Sequence, residues 1–444
     1  MGAARNGSSE VCRSSRPRDA TGAMNDIMNL PKYSIGVGDR FGVEGAAQLR
    51  ALQRAASEGI RVVPVWNKSN REHAIIGTRP EDTRRAADAA VKACGWTDPY
   101  YLDADHIGLA TVDEYVEPCD FFTIDVADFI GKPVDGPAAQ AFVGSMERFK
   151  GLLNIRGMRG PVRVTGELLT AVAQKYLAAI SEAGKVYRRI AERKGSGNFV
   201  TEISLDEADR PQSPAELFFI LAAVAREKIP VQTIAPKFTG EFLKGIDYVG
   251  DPATFNGEFR DDLAVIAHAV AAFGLPSSLK LSVHTGSDKF TLYPLIRQAV
   301  EDFDAGLHVK TAGTTWLEEM IGLAASDGEA LQLAKDIYAD AFTRYEELCR
   351  PYVPVIRIDR TRLPAPREVG AWDARQFVET LRHDPTCPRY NIHFRQFVHV
   401  SFRVAAEMDG RWTHMLQACR AVIEQNVTMN IYDRHVKPLF AGLR

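Results

Sequence analysis

Cysteine is scarce in this sequence and scattered where it occurs. Cys12, Cys94, Cys119, Cys349, Cys387 and Cys419 form no CxxC pair and no dense framework, which excludes a disulfide-stapled scaffold and fits a reducing cytoplasm. Long apolar runs are missing too: none approaches the roughly 18–20 residues that a membrane-spanning helix needs. Charge is nearly balanced, at a formal net of -3. That gives no general case for nucleic acid or an anionic membrane as partner and leaves small-molecule substrates open. The chain has no GxxxxGK[ST] phosphate loop. Its nearest approach to a dinucleotide loop, "SIGVGDRFG", keeps Gly36 and Gly38 but has Phe41 where the third glycine belongs, so no nicotinamide cofactor is expected. Internal repeats are absent. Residues 1–23 carry four arginines among Gly, Ser and Ala with no apolar stretch behind them, so they read as a disordered tail rather than a secretory signal, with Met24 a candidate natural start.

What the chain does have is length and alternation. Its 444 residues, 45% hydrophobic and 25% charged, suffice for one large α/β domain or two of medium size. From Tyr33 onward, short β-branched or aromatic runs alternate with alanine-rich amphipathic stretches, the signature of βαβ units and a parallel sheet. The candidate strands lie at 33–41, 62–69, 100–107, 121–128, 199–206, 231–238, 279–286 and 306–313. Eight strands predict a (β/α)8 barrel of the TIM type; a doubly wound open sheet built from the same units is the competing architecture. The gap between strands four and five is too long for one crossover helix and implies a helical insertion over about 137–195. The barrel with this insertion spans 24–313, and 314–444 reads as a helical C-terminal extension packed on it. Ser213, Pro214 and Glu216 mark a capped helix start.

Polar residues gather at the predicted strand ends, where a barrel of this kind places its active site. Strand one ends in Asp39 and Arg40, strand two in Asn67 and Lys68, strand three in Asp105 and His106. Strand five carries Glu202, strand six ends in Lys237, strand seven reaches His284, and strand eight presents His308 and Lys310. Three histidines on three strands suit a catalytic divalent metal, with Zn, Mn, Ni and Co all plausible. His308 lies two residues deeper than Lys310 on one strand face, and Glu202 is its natural substitute as third ligand. Asp105 and His106 are neighbours, so regular alternation turns them apart unless the strand breaks there; Asp105 is then either a substrate-facing base or a local cap. Lys237 suits a Schiff base or a carboxylate-binding ammonium. Glu241, four residues on, is positioned as a general acid or as the partner of a lysine. His393, His399, His414 and His435 are expected to be structural.

The strings "YLDADHIGL", "APKFTGEFLKGIDYVGD", "LSVHTGSDKFTLYP" and "LHVKTAGTTWLEE" resemble the tagaturonate epimerase family, from about Tyr33 to the C-terminus. The resemblance implies a barrel, a divalent metal and a keto-uronate substrate whose carbon 4 is inverted. Retro-aldol cleavage and re-addition would achieve that, with Asp105 as base, Glu241 as acid, a metal on His106, His284 and His308, and Arg40, Lys68, Lys237 or Lys310 on the carboxylate. Asp39, Asn67 and Glu202 complete the expected substrate surround. Alternatives are a 4-epimerase of a neutral ketohexose, a metal-dependent aldolase, and a non-catalytic barrel subunit of a sugar-aldolase assembly.

Overall fold

A computed structural model of the protein describes residues 28–310, 314–408 and 410–444. The predicted N-terminal tail, the candidate start Met24 and the last three residues of the eighth predicted strand lie outside the described residues. The eight barrel strands are β1 (Tyr33–Gly38), β2 (Val63–Asn67), β3 (Tyr101–Ile107), β4 (Phe121–Asp125), β5 (Val200–Ser204), β6 (Thr233–Ala235), β7 (Lys280–His284) and β8 (Leu307–Lys310). Each pairs in parallel with its sequence neighbours, and β8 closes on β1. The fold is the (β/α)8 barrel, not the open sheet. Each strand falls within its predicted run because the valine, isoleucine and aromatic stretches meet helices on the outside and fill the barrel within.

The barrel floor is sealed by chemistry as well as packing. Leu30, Val63, Val65, Tyr101, Phe121 and Val200 form a separate apolar cluster. Beside it the Lys280 ammonium, on β7, donates to the carbonyls of Leu30 at 3.0 Å and Pro31 at 2.5 Å.

Between β4 and β5 the insertion holds helices Gly136–Met146 and Gly166–Lys194 and, between them, an antiparallel hairpin of Gly151–Leu153 with Val162–Val164. The hairpin was not foreseen, because its strands are three residues each and carry too little alternation to register. The helix Pro214–Arg226 begins as predicted: the Glu216 amide donates to Ser213 Oγ, and the Glu216 carboxylate accepts from the Ser213 amide at 2.9 Å. After β8 the chain is helical, and Thr314–Ala325 packs against Arg420–Met429 and Ala374–Leu381. No helix among the described residues is long and apolar enough to cross a membrane.

Where the extension meets the loop after β1, three carboxyls are buried near one another: Asp39, Glu44 and Glu319. Asp39 accepts the amides of Gly42 at 2.7 Å and Glu44 at 2.6 Å, so it organises its own loop. Among the described residues, Glu44 Oε2 and both Glu319 oxygens have no hydrogen-bond partner. Burial, then the charges of Asp39 and Glu424, push Glu44 up to about 8. Glu44 is therefore neutral in the folded protein at pH 7 but ionised in the unfolded chain. Its contribution to stability is full below the ordinary glutamate range and is lost as pH rises toward about 8. We expect the melting temperature to fall across this window, and Glu44→Gln to flatten the decline; an unchanged slope in the variant would assign the dependence to other groups.

Candidate active site

The C-terminal mouth of the barrel opens into a cavity of about 840 Å³. Its wall takes side chains from the ends of β2, β3 and β5 to β8, from the loop 236–244, and from the segment 351–357 of the C-terminal extension.

At its base sits Lys310, the last residue of β8. Its ammonium lies 2.7 Å from Asp103 Oδ2, 2.9 Å from Asp105 Oδ1 and 3.3 Å from Glu202 Oε1, and it donates to Thr123 Oγ1 at 2.5 Å. Gly36 stands opposite on β1, where a Cβ would come within 3.0 Å of Lys310 Cα; a side chain there would crowd the lysine out. Burial works against the ammonium, but the surrounding carboxylates overcome it and hold Lys310 well above the usual lysine range. Burial would likewise raise Asp105 and Glu202, yet Lys310 and the adjoining histidines hold both well below the carboxylate range. Asp103 bears the residual cost, and burial lifts it to about 6.

Two of these acids orient imidazoles. Asp105 Oδ1 is 2.9 Å from His106 Nδ1, and Glu202 Oε1 is 2.8 Å from His284 Nε2. The opposite ring nitrogens converge on one carboxylate: His106 Nε2 is 3.4 Å from Asp206 Oδ1, and His284 Nδ1 is 3.1 Å from Asp206 Oδ2. The rings stand 5.2 Å apart, edge to face. Burial would lower the imidazoles, but Asp206 and Glu202 raise His284 to about 9, and Asp105 and then Asp206 hold His106 well above its usual range. One ligand atom from each of His106, Asp206 and His284 lies within 4.8 Å of the others. His284 Nδ1 is buried and, among the described residues, has no hydrogen-bond partner despite its closeness to Asp206. Two imidazoles and a carboxylate, with an acid behind each ring, fit a divalent cation.

Asp105 and His106 both face this site because β3 is irregular there. Its register against β4 shifts between Ala104 and Ile107, and His106 has φ +54°. A left-handed residue in a bulge turns a side chain that alternation would send outward.

Other expectations fare differently. His308 falls outside the convergent group: it lies one layer down, its Nδ1 2.9 Å from Ser34 Oγ, and burial pushes it down to about 3, so it is a neutral interior imidazole. Glu202 stands behind His284 rather than on the cavity wall. Asp39 and Lys68 do not line the cavity, Asp39 being spent on its loop. Asn67, Arg40 and Lys237 do line it. Arg40 is committed to Glu72 Oε1 at 3.0 Å and to the His399 carbonyl at 2.9 Å, and Lys237 Nζ is 3.5 Å from the Asp206 carbonyl. Glu241 reaches the rim, where Arg357 pairs with it at 2.5 Å. Sequence reasoning passed over Asp206, although it ended the predicted fifth strand. Counting by twos from Glu202 through Ser204 puts it on the inward face at the mouth. It also passed over Glu207 and Lys244 on the cavity wall.

Fold and site together define a TIM-barrel enzyme with a polar, metal-competent pocket at its C-terminal mouth. The chain belongs to the tagaturonate epimerase family, whose model matches residues 24–415. It is 28% identical over 385 residues to the tagaturonate/fructuronate epimerase of Thermotoga maritima, covering 84% of this chain and 73% of that protein. The native crystal structure of the fructuronate-tagaturonate epimerase of Cohnella laeviribosi superposes with a TM-score of 0.77 at 22% identity, covering 93% of this chain and 82% of that one. A glycerol complex of the same protein gives 0.75 at 22% identity with the same coverage. The solved structures establish the shared fold; the family model establishes membership, and with it an isomerase.

Lys310 neutralises Asp103 and Glu202, which are shut away from water, so its removal leaves uncompensated buried charge. Lys310→Met is expected to lower unfolding free energy by about 3–5 kcal/mol, read by urea denaturation. Near wild-type stability would show that the acids protonate at little cost.

Proposed function

We propose that the chain interconverts D-tagaturonate and D-fructuronate, with a divalent cation held by His106, Asp206 and His284, and by cleavage and re-formation of a carbon–carbon bond. The observation that carries this reading is the convergence of two acid-backed imidazoles on Asp206 beside Asp105. The substrates differ at carbon 4, whose hydrogen is not α to the carbonyl at carbon 2, so direct deprotonation is not assisted. Removing the proton of the carbon 4 hydroxyl instead lets the bond between carbons 3 and 4 break, its electrons passing into the carbonyl as an enediolate. The departing three-carbon aldehyde acid turns over and is attacked on its other face. A divalent cation at this site, with Zn, Mn, Ni and Co compatible with the ligand set, supplies a Lewis acid for the oxygens that gain charge.

Asp105 lines the cavity and is kept ionised by Lys310, which suits it to accept the hydroxyl proton. Glu241, at the rim on Arg357, returns a proton from the other side. A second reading of Asp105 is favoured by one distance: its Oδ1 is 2.9 Å from His106 Nδ1, the arrangement of an acid that aims a metal-binding histidine. The same reading sets the enzyme in the cytoplasm, consistent with five described cysteines that stand as free thiols.

Metal-loaded protein incubated with D-fructuronate in D₂O should yield D-tagaturonate by NMR with no deuterium at carbon 4 and no added nicotinamide. Solvent label at carbon 4 would require direct proton abstraction, and no turnover would overturn the assignment. In the same assay Asp105→Asn should lose on the order of 10²–10⁴-fold in rate at full metal occupancy if Asp105 is the base. A 10–100-fold loss of metal affinity with activity restored at saturating metal would assign it to aiming His106.

A further inference from the structure

The loop after β6 is held with unusual completeness around a single cationic side chain. From Leu243 to Ile246 each carbonyl has a donor. Lys289 Nζ donates to Leu243 at 3.0 Å and Ile246 at 2.8 Å, Gln396 Nε2 to Lys244 at 3.0 Å, and Arg395 Nε to Gly245 at 2.5 Å. The Gly245 amide donates to Ser287 Oγ at 2.9 Å and the Lys244 amide to the Val355 carbonyl at 2.9 Å. Gly245 has φ +78°, a turn that glycine adopts without strain. The clamping groups are themselves fixed: Arg395 is fully buried and pairs with Asp288 at 2.7 Å, and Asp288 also takes His383 at 2.9 Å and lies 3.3 Å from His435. The backbone of Lys244 is therefore fastened both to the loop after β7, which follows His284, and to the C-terminal extension.

Its side chain, by contrast, is unspent. Lys244 lines the cavity, and its ammonium has no acceptor within hydrogen-bond distance among the described residues. The other cavity cations all have one. Lys310 is taken by three carboxylates, Arg40 by Glu72, Arg357 by Glu241, Arg71 by the Pro351 carbonyl at 3.0 Å, and Lys237 by the Asp206 carbonyl. Burial lowers Lys244, with Glu72 opposing and Arg40 reinforcing the shift, so an incoming carboxylate would relieve it. Lys237 reaches the Asp206 carbonyl, whereas the charges that act on Lys244 are those of Glu72, Arg40, Asp105 and Arg71.

We infer that Lys244 is the specificity-determining residue that binds the substrate carboxylate, and that it keeps the aldehyde-acid fragment in place while that fragment turns. This rests on the proposed reaction, in which the carboxylate belongs to the departing fragment and lies away from the oxygens of carbons 2 and 3. A rigid backbone bearing one free ammonium suits that task, because the loop itself loses little conformational freedom when the charge is met.

The test compares wild type, Lys244→Met and Lys244→Arg, each metal-loaded, with D-fructuronate. Lys244→Met should raise KM by about 10- to 100-fold with kcat changed less, the pattern of lost uniform binding, and should retain bound metal. It should also release more three-carbon aldehyde acid to a carbonyl trapping reagent per epimerisation. Lys244→Arg should restore most of the KM, which a purely structural role of the lysine would not predict. If wild type turns over D-fructuronate while Lys244→Met keeps its KM, or if the KM loss appears in Lys237→Met instead, this inference falls and the epimerase reading stands. If wild type shows no turnover, both fall together.

Discussion

A single ammonium inside a closed barrel dictates much of this structure. Lys310 projects from β8 among Asp103 and Glu202, both shut away from water, and Asp105, which opens onto the cavity. Isolated buried charges of this kind are costly, and only a well-placed counter-charge with further hydrogen bonds makes them tolerable. The consequences run outward in order. Because Lys310 holds Asp105 and Glu202 ionised, each can take a ring nitrogen of a histidine; because each histidine is gripped on one nitrogen, the other is aimed at Asp206. The site is thus organised from the barrel axis toward the mouth, with Gly36 supplying the space on which the lysine depends.

A second buried charge fastens the lid of this arrangement. Asp288, immediately beyond β7, gathers Arg395, His383 and His435 from separate parts of the C-terminal extension. The extension consequently does more than cover the barrel, since Arg395 and Gln396 reach the loop that carries Lys244 and the segment 351–357 forms part of the cavity wall. Barrel and extension build one site between them.

Much of this was legible in the sequence, for physical reasons that also explain what was not. The eight strands could be read because parallel barrel strands are buried on both faces and show as short β-branched runs. His106 and His284 could be read because titratable residues at strand ends have no packing rationale. His308 could not be told from them by composition, since depth along β8 separates a neutral interior imidazole from one that opens onto the cavity, and Lys310 two residues later was the clue. The joint inward aim of Asp105 and His106 depends on a bulge and a positive φ that no local pattern announces. Lys244 was illegible for a different reason: its loop has no periodicity, and its path is set by hydrogen bonds to residues between 42 and 152 positions away in sequence.

The central claim is that acids anchored on Lys310 aim His106 and His284 at a cation shared with Asp206. The direct measurement is anomalous diffraction at a metal absorption edge from crystals grown with Zn, Mn, Ni or Co. The account predicts one strong peak between His106 Nε2, His284 Nδ1 and the Asp206 carboxylate, with Asp105 and Glu202 still on the far ring nitrogens. A peak at His308, or one remote from β3 and β7, would contradict it.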